Sequence, residues 1–148
     1  MKTNLSLMGI LLGLTIASPA AYAETHHDKP AAEAKIEDKL KGYTDVSTAL
    51  YKDNLEGAKK QAADAAKDVK DEKIAKHYQG IADSKSLDEA RKHFKELSEL
   101  LIPEAKKDGK MHEIHCPHAK ANWLQTSADE IQNPYEGQKM PHCGKEVK

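Results

Sequence analysis

A chain of 148 residues with 23 basic and 24 acidic side chains has the length of one domain and a formal net charge of −1. No nucleic-acid partner is expected, because that function calls for a basic excess. Only 5% of the residues are aromatic against 32% charged, which excludes a large aromatic core, and past residue 23 no apolar run is long enough to span a membrane.

The first 23 residues read as an export signal. Lys2 supplies the basic start, Leu5 to Ala17 the short apolar core, and Ala21-Tyr22-Ala23 the small residues a signal peptidase inspects. The segment is too short for a stable membrane anchor, so a periplasmic protein without membrane insertion is expected after cleavage. Cleavage removes one basic residue, Lys2, and leaves 125 residues of net charge −2.

Residues 24–31 read as a flexible mature terminus. Its first three residues, Glu24, Thr25 and His26, offer a free amine, two amide nitrogens and an imidazole. That set wraps the square plane preferred by Cu(II) and Ni(II), a second metal site created by the cleavage itself, with His27 as a further donor.

From about residue 32 to 109 the chain is rich in Ala, Lys, Asp and Glu with helical periodicity. Pro30 suits a first helical turn, and Ile36, Leu40, Tyr43, Val46 and Leu50 recur on one face. Asp53 and Glu56 form a capping box for a second helix with Leu55, Ala58, Ala62, Ala65 and Val69 inward. Its alanines imply close helix approach. A third helix is predicted over 72–83, with Ile74, Tyr78 and Ile81 inward and Gly80 a weak spot. Ser86 and Glu89 cap a fourth, with Leu87, Ala90, Phe94, Leu97 and Leu101 inward; Pro103 should bend or fray it and Gly109 ends it. His77 and His93 read as ordinary surface or boundary residues of these helices.

The expected fold is therefore all-α, an antiparallel up-down bundle of about four helices over 32–109. An irregular Cys/His/Met-rich tail, 110–148, packs across it to complete a single domain over 32–148. The tail holds both cysteines, the only tryptophan, four of the eight histidines and both methionines that survive cleavage. Random scatter would place all four sulfur residues there with a probability on the order of 1%.

The donors fall in two knots, Met111-His112-Glu113-Ile114-His115-Cys116-Pro117-His118 and Met140-Pro141-His142-Cys143. Thiolate and thioether donors favour Cu(I), imidazole suits copper or zinc, and neither knot offers the carboxylate cluster that calcium or magnesium wants. A hairpin-like closure bringing the knots together would assemble a Cys/Cys/Met/His site. The competing reading is a disulfide. Two cysteines in an oxidising compartment pair by default, closing a loop of about 28 residues worth roughly 3.5 kcal/mol in the chain-entropy model. Trp123 reads as a core anchor rather than a cap on a bound ion, and Asn133-Pro134-Tyr135 as a turn with an aromatic plug.

Phe94-x-x-Leu97-Ser98, Cys116-Pro117-x-Ala119, Trp123-Leu124, Ile131-x-Asn133-Pro134-Tyr135-x-Gly137 and Met140-x-x-Cys143-Gly144 together carry a resemblance. They resemble the small helical domain of unknown function found alone or appended to CusB-like periplasmic copper/silver efflux adaptors. The resemblance implies a periplasmic heavy-metal-binding domain with a helical body, and by it Cys116, Met140 and Cys143 are the soft ligands. The chain departs from that pattern at His118, where the family has Met, at Glu136, where it has an aromatic, and at Pro141-His142, where it has Leu. Imidazole in place of thioether hardens the site and admits Cu(II) or Zn(II).

The expected function is copper binding, Cu(I) first, for sequestration or handover in metal resistance, with Cys116, Cys143 and Met140 as ligands, His118 completing the shell, His115 and His142 as alternates, and an efflux adaptor or another copper protein as partner. A disulfide-stapled interaction module on an efflux system and a structural zinc domain are the alternatives. An enzyme is not expected, since no Cys-x-x-Cys, His-Glu-x-x-His or Ser/His/Asp pattern is present.

Overall fold

A computed structural model describes residues 31–148. The leader reading, the Glu24-Thr25-His26 site and Pro30 lie outside the described residues. Four helices come first: α1 (Ala31–Tyr51), α2 (Leu55–Asp68), α3 (Glu72–Asp83) and α4 (Leu87–Asp108). Three-residue links force each of the first three to fold back on its neighbour, and cross-helix contacts give the direction. Lys39 pairs with Glu104 at the far end of α4, whereas Leu50, near the end of α1, accepts a hydrogen bond from Arg91 near the start of α4. α1 and α4 are therefore antiparallel. His77 and Gly80 face Glu96 and His93, which sets α3 against α4 in the same way.

The inward faces carry the expected residues: Leu40, Tyr43, Val46, Leu50, Ala58, Ala62, Ile74, Tyr78, Ile81, Phe94, Leu97 and Leu101 are all buried. Small residues set the spacing of α1 and α2, for a Cβ on Gly42 would sit 2.6 Å from that of Ala65.

The caps differ in detail from expectation. Asn54, not Asp53, caps α2, accepting from Gly57 N–H at 2.9 Å. Asp53 takes a left-handed backbone (φ 54°) and turns its carboxylate to Arg91 instead. At α4, Ser86 accepts from Glu89 N–H as expected, while the Glu89 carboxylate reaches back to Lys85 N–H. Pro103 does not end α4, which continues to Asp108. Its missing N–H strands the carbonyl of exposed Glu99, which water can satisfy, while buried Ala105 holds the last turn onto the core. Gly109 (φ 68°) then stops the helix in the left-handed region, donating to Ala105 C=O.

The tail corrects the all-α reading. Residues 110–148 are not an irregular strap but carry a small antiparallel sheet of strands β1 (His112–Cys116), β2 (Ala121–Gln125) and β3 (Lys145–Glu146), in the order β2-β1-β3. The protein is mostly helical with a three-stranded sheet. In the β1/β2 hairpin Ile114 pairs with Trp123, His115 with Asn122 and Cys116 with Ala121. Alternation sends Ile114, Cys116 and Trp123 to one face, and Glu113, His115 and Leu124 to the other. Gly144 lies against Trp123, Ile114 and Ile131 on the first face. On the second, the buried Glu113 carboxylate pairs with Lys106 of α4.

A buried polar relay and a run of rings tie sheet to bundle. Leu124 N–H donates to Tyr43 Oη (3.1 Å), which lies 2.7 Å from Ser98 Oγ; Ser98 in turn donates to Phe94 C=O. Tyr43 stacks on Phe94 with centroids 4.7 Å apart, Phe94 meets Tyr135, and Tyr135 meets Trp123 edge-on. Among the described residues no helix is long and apolar enough to cross a membrane.

Candidate metal centre

Three local features bring the two cysteine knots together. The first is the β1/β2 hairpin, which ends β1 on buried Cys116 and turns through Pro117 to Lys120. The second is the buried side chain of Asn133, which accepts from Tyr135 and Glu136 N–H and donates from Nδ2 to Cys143 C=O at 2.6 Å. This is an Asx turn whose amide clips down the second cysteine. The third is the turn Met140 to Cys143, closed by Cys143 N–H on Met140 C=O at 3.1 Å.

The short 3-10 turn Gly137–Lys139 between these features docks on the bundle. Arg91 donates to Pro134 C=O and Leu50 C=O and pairs with Asp53, whose other oxygen accepts from Gln138 N–H. Gly137 (φ 54°) crosses this junction so closely that a Cβ would lie 1.9 Å from Asp53 Oδ1.

The outcome is a thiol pair, Cys116 Sγ to Cys143 Sγ at 2.9 Å, with Cys116 buried and Cys143 half-buried. Ala119 N–H points at Cys116 Sγ (3.4 Å), and a backbone hydrogen bond from His118 reaches Cys143. The Cys143 thiol is nonetheless pushed above its ordinary range. Its hydrogen bond with Cys116 is the largest cause, followed by desolvation and the Cys116 charge, and the His118 amide opposes them. A tetrahedral ion with metal–sulfur bonds of about 2.3 Å holds its sulfurs roughly 3.8 Å apart. The two thiols, 2.9 Å apart, fit such an ion once they part by about 1 Å.

The expected histidines divide. His118 stands in the turn beside the thiols, and its Nδ1 lies 2.9 Å from Glu136 Oε1, leaving Nε2 outward. A carboxylate on one ring nitrogen orients the other for a metal. His115 does not join the pair: it projects from the opposite face of β1 and meets Asn122 Oδ1 at 2.6 Å. His142 is exposed with Nδ1 2.8 Å from Ile131 C=O, and Met140 is half-buried at the start of the closing turn. Trp123 is fully buried, with its N–H on Gln125, as a core anchor.

The tail does not bring three His, Cys or acidic donors within 4.8 Å of one another. Among the described residues the one group that meets this spacing is His77, His93 and Glu96, on α3 and α4. Reading each helix separately overlooked it. The available signals were the i, i+3 spacing of His93 and Glu96 and the small Gly80 one turn after His77.

A helical bundle edged by a small sheet that presents two thiols describes the class of structure. The chain belongs to the family described as "Protein of unknown function (DUF3347)", whose model matches residues 40–113. The match covers the bundle from the middle of α1 onward and the start of β1 and ends before Cys116, and the family description names neither a metal nor an efflux adaptor. No curated protein and no solved structure matches the chain.

Proposed function

We propose that the protein is a periplasmic metal-binding protein that holds a soft ion, copper(I) first, for sequestration or handover to an efflux adaptor or another copper protein. The carrying observation is the 2.9 Å approach of Cys116 and Cys143 Sγ between segments 27 residues apart. Two thiols beside the Met140 turn, with a carboxylate-oriented imidazole at His118, make a donor set of the soft-to-borderline kind. Zinc is the alternative cargo if His118 and a second imidazole close a tetrahedral shell. No catalytic role is assigned to these residues.

The same approach of sulfurs favours a second reading, a Cys116–Cys143 disulfide that staples the tail of an interaction module. The reduced, metal-holding pair and the oxidised pair are then two redox states of one site. A thiol count on protein taken directly from the periplasm, followed by Cu(I) titration of the reduced protein against a competing chelator, separates them. Copper binding predicts one ion per chain and a loss of about a hundredfold in affinity in Cys116→Ser or Cys143→Ser. Unchanged affinity in both variants refutes it, and a pair that stays oxidised in reductant leaves the staple.

A further inference from the structure

α3 and α4 hold a second constellation, far in sequence from the thiols and chemically distinct from them. His77 Nδ1 lies 3.2 Å and His93 Nδ1 3.9 Å from Glu96 Oε2, and one donor atom from each of the three residues fits within 4.8 Å of the others. His93 and Glu96, three residues apart, share one face of α4. The antiparallel register places His77 of α3 opposite them. The His93 ring lies directly over Gly80, where a Cβ would come within 2.6 Å of its Nδ1. A glycine in mid-helix costs about 1 kcal/mol in propensity, and here its missing side chain is the space the imidazole fills.

His77 shows what this arrangement lacks. Its Nδ1 is buried and, although Glu96 Oε2 lies 3.2 Å away, makes no hydrogen bond. A buried ring nitrogen without a partner is costly, and a cation among the three groups would give it one. Two imidazoles and a carboxylate are the donors of a borderline divalent ion, not of Cu(I) or calcium. At ligand distances of about 2.1 Å, tetrahedral donors stand roughly 3.4 Å apart, close to the 3.2 and 3.9 Å already present.

We propose that His77, His93 and Glu96 form a binding site for a divalent transition-metal ion of the zinc type, pinning α3 to α4 and leaving one coordination position open to water. The site is independent of the thiol pair, and it stands whether or not that pair binds copper.

The test uses zinc ion alone on the full chain in a Cys116→Ser/Cys143→Ser background, so the tail cannot answer for it. One equivalent of Zn(II) should shift the ring nitrogen-15 resonances of both His77 and His93. His77→Gln and His93→Gln should each weaken zinc binding at least about tenfold. Gly80→Ala tests the site without removing a ligand: it should leave the metal-free melting temperature unchanged or higher, because the His93 ring can swing away, while weakening zinc binding several-fold. Ring resonances of His77 and His93 that ignore saturating zinc would overturn the proposal. So would a double His77→Gln/His93→Gln variant, folded by circular dichroism, that binds zinc as well as its parent.

Discussion

Replacing Asn133 with Ala tests how the second cysteine is held. The side chain is fully buried and makes three hydrogen bonds, accepting from Tyr135 N–H (2.8 Å) and Glu136 N–H (3.0 Å) and donating to Cys143 C=O (2.6 Å). Alanine strands two donors and one acceptor. An orphaned buried group costs about 1–3 kcal/mol, and the half-buried turn lets water rescue part of this, so a net loss of about 3 kcal/mol follows. At about 4 °C per kcal/mol for a domain of this size, the melting temperature should fall by roughly 12 °C. Asn133→Asp keeps an acceptor for both N–H groups but sets a buried carboxylate oxygen against Cys143 C=O where an N–H had donated, so at neutral pH it should cost at least as much as Ala. Thermal denaturation followed by circular dichroism gives both numbers. Thiol-labelling kinetics at Cys143 should speed up in both variants, since each frees its carbonyl. An Ala variant that melts within 2 °C of the parent, or an Asp variant as stable as the parent at neutral pH, would refute the clip.

Gly137→Ala should cost about 3 kcal/mol in urea unfolding, combining left-handed strain with a collision against the Asp53/Arg91 pair; a neutral effect would mean that the junction is loose. Burial pushes the hydroxyls of Tyr43, Tyr78 and Tyr135 well above their ordinary range. Their folded-state values are raised, so the stability they protect is whole below pH 10 and is lost as pH rises past it, because only the unfolded chain can then ionise. Three such groups give a slope of up to about 4 kcal/mol per pH unit, measurable by urea titration between pH 9 and 11, and Tyr135→Phe should remove a third of it. Metal affinity at the thiol pair should rise at least about tenfold from pH 6.5 to 7.5, because the raised Cys143 thiol must give up its proton to bind; a flat profile would place the ion elsewhere.

The bundle was legible because its signals are local and redundant. The 72–83 helix emerged with the bounds of α3 from an apolar step of three to four residues, and Ser86 opened α4 as its hydroxyl position implied. Where two signals competed, tertiary contact decided. Asp53 looked like a cap, but its carboxylate is taken by Arg91 across 38 residues, leaving the cap to Asn54. Pro103 read as a bend or fray near the end of α4, yet the helix runs on to Asp108 with Ala105 buried in the core, and Gly109 ends it as expected.

The sheet was not legible. Strands of five, five and two residues carry too little alternation, Glu113 and Leu124 are buried on the face where polar residues would be expected, and the hairpin turns through Lys120 at φ 48° without an Asn-Gly or Asp-Gly pair. The meeting of Cys116 with Cys143 was legible from donor clustering. The exclusion of His115 was not, because it depends on which face of an unseen strand that ring leaves.

X-ray absorption at the copper edge, on reduced protein carrying one equivalent of Cu(I), tests the central claim most directly. The account predicts a first shell dominated by sulfur that disappears when Cys116 and Cys143 are both replaced by serine. A shell of nitrogen and oxygen alone, or one that the double substitution leaves unchanged, would contradict it.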